Sequence, residues 1–279
     1  MEDIKRKVKE MRFVYPKGKE KALTLSYDDG QIFDRRLVEI LNKYGIKGTF
    51  HLNSAHLFDG QHYPEFVSQE EIKDLYAGHE VACHGENHYS MFLLNDQRAL
   101  MEVLEDRRRL ESLTGKMVQG MSYAFGHCNK NSGEVLKMAG IKYSRKASTT
   151  GTFYPPGDFM EWEGTCHHED NLEDYAQEFL HVPSYVELPL MYVWGHSFEF
   201  DRNNNWELIE DFARTVGGRD EIWYATNLEV YEYLTAIRSL EYSADGLTVY
   251  NPTLQTIWYM DSKGLHTIEP GQTVYMGKR

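Results

Sequence analysis

The sequence predicts an α/β fold: a parallel sheet covered by helices, followed by a small β appendage. Three observations predict it. First, the runs "VEILNKYGIKGTFHLNS", "EIKDLYAGHEVACHG", "GEVLKMAGIKYSR" and "DFARTVGGRDEIWYAT" each carry a helix-like segment that stops at Gly45, Gly78, Gly140 or Gly217. Glycine suits the left-handed position that closes a helix. Second, a short strand-like run follows each glycine, and alternation of this kind means parallel strands joined by helical crossovers. Third, from about residue 241 the apolar residues alternate with period two. Turn signals punctuate them at Asp245-Gly246, Lys263-Gly264 and Pro270-Gly271, as in antiparallel hairpins. The division is therefore a main body over 1–240 and a small β appendage over 241–279, packed on or beside that body.

Taken in order, the strands fall at roughly 22–26, 48–53, 80–84, 119–123, 141–145, 189–195 and 221–225. The helix over 69–77 has its own start signal, Ser68 with Glu71 three residues on. A longer helix runs from about Asp96 to Leu113, with Gly115 after it. Between 147 and 187 the pattern breaks into a segment rich in Pro, Gly, His and aromatics, which reads as a long excursion over one end of the sheet. Seven or eight such units often close into a barrel. An open doubly wound sheet fits the same pattern, but no GxGxxG-like loop follows the first strand, so nothing suggests a dinucleotide site.

The chain has 279 residues, 41% of them apolar, which fits one large domain with a small addition. Its net charge of −13 and its lack of a long basic run speak against a nucleic-acid partner. No stretch approaches the length of a membrane span. The N-terminal "MEDIKRKVKEMRF" is charged and lacks the apolar centre of a signal peptide, so the expected location is cytoplasmic. Cys83, Cys128 and Cys166 are too few, and odd in number, for a disulfide framework. Each sits beside a histidine. In a strand Cys83 and His84 point to opposite faces, so buried inert thiols are expected rather than a Cys/His metal site.

The unusual polar residues share a position. Asp28 and Asp29 end the first strand, His84 and His88 follow the third, "SYAFGH" follows the fourth and His196 follows the sixth. C-terminal strand ends of a parallel sheet lie on one face, where active sites form. Two adjacent carboxylates raise each other's pKa unless a positive charge compensates, and no Lys or Arg follows until Arg35. Asp-Asp-Gly is also an ordinary turn sequence. Twelve histidines would supply one i, i+4 pair by chance, and a lone His196 reads as a core residue. Joint placement on one face outweighs each of these plainer readings. Coiled into a helical turn, His84 and His88 would project from one side. Two histidines with a carboxylate form a common catalytic metal set. His167 and His168 lie in the excursion, lining a pocket or the surface.

At this point the residues resemble a known family. "LSYDDG" is similar to the TFDDG motif of the polysaccharide deacetylases (the NodB homology domain, carbohydrate esterase family four), and "HGENH" to their His-x-x-x-His motif. The resemblance covers about residues 20 to 235. It implies a distorted (β/α) barrel, usually of seven strands. Carried over by motif, it implies a divalent metal ion, zinc first with cobalt or nickel as alternatives, held by Asp29, His84 and His88. It makes Asp28 the general base. "SYAFG" resembles the third motif and puts Phe125 where a backbone N–H steadies the oxyanion. "VWGH" places the histidine acid at His196. "DFMEW" echoes the fourth motif, with Glu161 as the acid that orients His196. Two departures stand out: Ser122 replaces the arginine that steadies the base, and Ala124 replaces a proline.

The function so implied is metal-dependent removal of acetyl groups from an N-acetylated or O-acetylated carbohydrate, or another small acetylated substrate. A hydrolase of a different non-peptide C–N bond, a deformylase or cyclic amidase, is one alternative. A non-catalytic carbohydrate-binding barrel is another, which the missing arginine favours and the intact acidic and histidine residues oppose.

Overall fold

The computed structural model describes residues 11–276. The segment 1–10, on which the reading of the N-terminus rests, and residues 277–279 at the end of the appendage lie outside the described residues.

All seven expected strands form: Lys21–Asp29, Thr49–Leu52, Glu80–Cys83, Gly120–Ser122, Tyr143–Thr149, Leu190–His196 and Ile222–Tyr224. They are parallel, and Lys21–Asp29 is central. Leu190–His196 pairs along one of its edges from Ala22 to Asp28. The other edge is shared: Ile222–Tyr224 takes residues 21–23, and Thr49–Leu52 takes residues 26–29. From there the sheet continues through Glu80–Cys83 and Gly120–Ser122 to Tyr143–Thr149.

The excursion over 147–187 needs correction. Within it, Trp162–Gly164 pairs with Tyr143–Thr149, and Cys166–His167 pairs with Leu190–His196. This one segment joins the two sheet edges and nearly closes the sheet into a distorted (β/α) barrel. A helix, Leu172–Leu180, follows. Six residues interrupted by glycine carry no strand signal of their own. They become strand because unpaired backbone on both sides must be satisfied.

Local signals explain both ends of the longest helix. Asn95 caps Asp96–Thr114, its side chain accepting the Arg98 N–H at 3.0 Å, and Gly115 ends the helix at φ 70°. The expected helix over 69–77 shrinks to Ile72–Leu75, although the Ser68 N–H does donate to Glu71 at 2.7 Å.

The C-terminal strands form two three-stranded antiparallel sheets. Ile257–Asp261 pairs with Gly264–Ile268 and also with Arg12–Val14 from the start of the chain. Thr248–Tyr250 pairs with Glu241–Tyr242 and Thr273–Tyr275. Val249, Ile257, Tyr259 and Ile268 share one apolar cluster with Tyr15, Ala22, Leu190 and Tyr233. Ala22 and Leu190 begin their strands, so this packing lies at the end of the barrel away from the strand C-termini.

Glu80 is half-buried near that same end. It accepts hydrogen bonds from the Tyr143 hydroxyl at 2.7 Å and the Leu228 N–H at 2.8 Å. Burial nevertheless pushes its pKa from 4.5 up to about 7. The folded state therefore holds a proton that the unfolded state has lost between about pH 4.5 and 7, and stability falls as pH rises through that window. Glu80→Gln is expected to flatten this slope. Above pH 7 the variant gains at most about 3 kcal/mol relative to the parent, at ~1.4 kcal/mol per pKa unit, as read by urea unfolding at several pH values.

Candidate active site and metal centre

The end of the central strand builds the site. Asp28 is in register with His51 on one side and His196 on the other. At Asp29 the backbone turns into the left-handed region, φ 79°, which redirects its side chain away from the strand alternation. His84 continues the ladder, its N–H donating to Leu52 at 3.0 Å. The segment after it is a turn rather than the helical coil expected from the i, i+4 spacing. Gly85 at φ 86° and His88 at φ 58° bring the two rings to 4.8 Å. Left-handed non-glycine residues are costly and concentrate at functional sites. Asp29, His88 and Phe125 are three of them here.

The distances within the triad suit a metal better than hydrogen bonds. His84 Nε2 and His88 Nε2 each lie 3.6 Å from the same Asp29 oxygen, Oδ1, beyond a good hydrogen bond. The three ligand atoms all fall within 4.8 Å of one another. Donors bound to one ion at about 2.0–2.2 Å are separated on this scale. His84 Nδ1 lies 3.0 Å from the Ser122 carbonyl oxygen. That contact assigns the proton to Nδ1 and leaves the Nε2 lone pair facing Asp29. Burial lowers the His84 pKa to about 4, so the ring is neutral, as a ligand must be. The residues present fit a divalent ion.

Asp28 is 4% exposed and surrounded by donors. The Ser122 hydroxyl donates to Oδ1 at 3.1 Å, His51 Nδ1 lies 3.3 Å from the same oxygen, and the Arg145 guanidinium donates to Oδ2. Burial alone would raise the pKa of Asp28. The Arg145 charge, with His84 and His51, overrides it and holds the carboxyl well below the usual range. Arg145 therefore stands where the third motif lacked an arginine. Its strand is in register with Ser122, so the guanidinium arrives from one strand further along. The signal in the sequence was a charged residue, Arg145, at the end of an expected strand. His51 announced itself only as a histidine in the apolar run "GTFHLN".

At His196 the expectation for Glu161 is not met. Glu161 is exposed and pairs with Lys146 at 3.2 Å. The carboxylate at His196 is Glu199, whose Oε2 lies 3.2 Å from His196 Nδ1 and accepts the His196 N–H at 3.0 Å. A helix, Ser197–Arg202, begins directly after the strand. Residue 199 therefore folds back over 196, a relation that "HSFE" shows only once the helix start is known. Burial lowers the His196 pKa, but Glu199, Asp28 and Asp29 together raise it above the ordinary histidine value. Phe125 sits at the rim, 60% exposed, its ring 4.6 Å from the His88 ring. His167 and His168 face the same oxygen of Glu199, at 3.2 and 3.4 Å from Oε2.

Asp106, on the helix Asp96–Thr114, holds the loop from behind. It is fully buried and accepts the N–H groups of Ser54 at 2.9 Å, His84 at 3.1 Å and Gly85 at 3.0 Å. Removing it strands the Ser54 and Gly85 N–H groups at roughly 1–3 kcal/mol each, while the His84 N–H keeps the Leu52 carbonyl. Asp106→Ala is expected to lose several kcal/mol in urea unfolding and to weaken metal uptake, read by elemental analysis after dialysis against the ion. Full retention of both would exclude this supporting role.

The family model described as polysaccharide deacetylase matches residues 15–144, a span that includes Asp28, Asp29, His84, His88 and Phe125. Among curated proteins none matches the chain. Solved structures do. A protein assigned to the polysaccharide deacetylases from Mycobacterium smegmatis aligns at 18% identity and TM-score 0.60, covering 81% of this chain and 94% of that one. A family 4 acetyl xylan esterase from Clostridium thermocellum, in complex with a cobalt ion, aligns at 13% identity and TM-score 0.50, covering 76% and 90%. A family 4 pseudoenzyme from Bacillus anthracis aligns at 15% identity and TM-score 0.51, covering 79% and 68%. At these identities the structures show the shared fold. Over residues 15–144 the chain is similar to the polysaccharide deacetylase family model, and the solved structures show that it shares their fold.

Proposed function

We propose that the protein is a metal-dependent hydrolase that removes acetyl groups from an N- or O-acetylated carbohydrate. The observation that carries this reading is the convergence of Asp29, His84 and His88 on one point, with Asp28 and His196 beside them on paired strands. Similarity to the polysaccharide deacetylase model over 15–144 supports the acetyl chemistry. The complete set of acidic and histidine groups favours catalysis over a binding-only barrel.

Asp29, His84 and His88 would hold the ion. When bound, such an ion supplies Lewis acidity towards a carbonyl oxygen and towards water. Asp28, kept ionised by Arg145 and fixed by Ser122, accepts the proton of the attacking water. The Phe125 N–H, presented by left-handed backbone, steadies the oxyanion. His196, held by Glu199, gives its proton to the leaving amine or alcohol. An amine leaving group depends on that proton most, because an amide anion is too basic to depart.

The test is product release from acetylated chitooligosaccharides, acetylated xylan and a generic acetyl ester, before and after chelation. Acetate release that is lost with chelation and restored by zinc or cobalt is expected. Formate release or ring opening on a parallel panel, with no acetate, would move the reading to another C–N hydrolase. No hydrolysis by the metal-loaded protein on either panel would overturn it.

His196→Ala is expected to retain its metal while turnover falls about 10²–10⁴-fold, the usual scale of general acid–base help. Unchanged kcat on an amide substrate would remove His196 from the reaction.

A further inference from the structure

Beside His196 lies a second group with ligand chemistry. We infer that His167, His168 and Glu199 form a second divalent-cation site, separate from Asp29, His84 and His88. Glu199 Oε2 lies 3.2 Å from His167 Nε2 and 3.4 Å from His168 Nε2, and the three ligand atoms fall within 4.8 Å of one another. Two donors bound at about 2.0–2.1 Å to one tetrahedral ion are about 3.3 Å apart, so these separations match the edges of such a site.

Hydrogen bonding alone does not satisfy the group. Oε2 already accepts the His196 N–H at 3.0 Å and faces His196 Nδ1 at 3.2 Å. One carboxylate oxygen cannot take two further ring donors as well. His168 is the residue left over. It is 1% exposed, and neither of its ring nitrogens has a hydrogen-bond partner among the described residues. An unpartnered buried polar group costs roughly 1–3 kcal/mol, and a cation on Nε2 removes that cost.

The backbone is shaped to admit this ring. A Cβ on Gly195 would come within 2.0 Å of His168 Nδ1, so only glycine at 195 lets the imidazole lie against the strand. His168 is also stacked on Phe200, with centroids 4.2 Å apart, which fixes its plane. His167 and Glu199 keep partial exposure, giving an ion a way in. One contact must adjust on loading. His167 Nδ1 gives up the Glu169 N–H it accepts at 3.2 Å and takes the proton itself. Arg202 stays with the other oxygen, 3.5 Å from Oε1. Two imidazoles and a carboxylate select zinc or cobalt over calcium or magnesium.

The test is stoichiometry, which does not depend on turnover. Chelator-stripped protein, with its fold checked by circular dichroism, is titrated with Co²⁺ and followed by calorimetry and by the visible cobalt bands. The parent chain is expected to bind two equivalents. His88→Ala and His167→Ala each bind one, with different cobalt spectra, and the double variant binds none. Both substituted side chains retain solvent contact, so the variants are chosen to fold. A single equivalent in the parent chain would overturn the site and leave His167 and His168 as neutral neighbours of Glu199. A second equivalent that survives His167→Ala would place it elsewhere and overturn the site equally.

Discussion

Asp28→Asn is expected to keep its metal and lose about 10²–10⁴-fold in turnover. The two adjacent carboxylates are chemically alike in the chain, yet the fold treats them oppositely. Asp29, redirected by its left-handed backbone, faces His84 and His88. Asp28 faces Arg145, Ser122 and His51. Asparagine preserves the shape and one acceptor oxygen but cannot take a proton. Elemental analysis should therefore find the parent's metal content beside nearly absent acetate release. The complementary variant, Asp29→Ala, should lose both together. If Asp28→Asn turned over normally, the base would have to be sought elsewhere. If it lost its metal, the division of labour between the two carboxylates would be wrong.

Arg145→Met carries the largest expected loss of stability. The guanidinium is 1% exposed and its partner Asp28 is 4% exposed, so removing the positive member leaves a buried carboxylate without its main compensation. Breaking a buried pair in this way costs about 3–5 kcal/mol. Methionine retains much of the side-chain volume, so the loss reflects charge more than a cavity. Activity should fall as well, by about 100-fold, the scale set by small misplacements of a reacting group. Arg145→Lys should recover only part of either quantity, because an ammonium group lacks the planar fork. Urea unfolding at pH 7 measures the first effect and initial rates measure the second. A variant as stable and active as the parent would show that Ser122 and His51 suffice to hold Asp28.

Both variants rest on contacts that differ greatly in how readable they were. Asp28, Asp29, His84, His88 and His196 were legible because each lies at the end of a strand with strong local signals, and parallel strands must present those ends together. Arg145 was not, because its partner is 117 residues away and the meeting depends on which strand lies beside which. The motif echo in "DFMEW" points to Glu161, and only the helix start after His196 shows that Glu199 folds back onto that ring. Asp106 had no local signal, and it is a buried acceptor because its helix packs under the His84 turn.

By itself the sequence determined the seven strands, the crossover helices and the face on which the reactive side chains gather. Those follow from periodicity and turn chemistry, which act over a few residues. Tertiary structure alone decided that 162–167 joins the sheet edges, that an arginine from a neighbouring strand holds Asp28, and that Arg12–Val14 completes the C-terminal sheet. These depend on pairing between distant backbone edges. Any available strand can satisfy a hydrogen-bonding edge, so the choice is made by the packing of the whole chain and leaves no local mark.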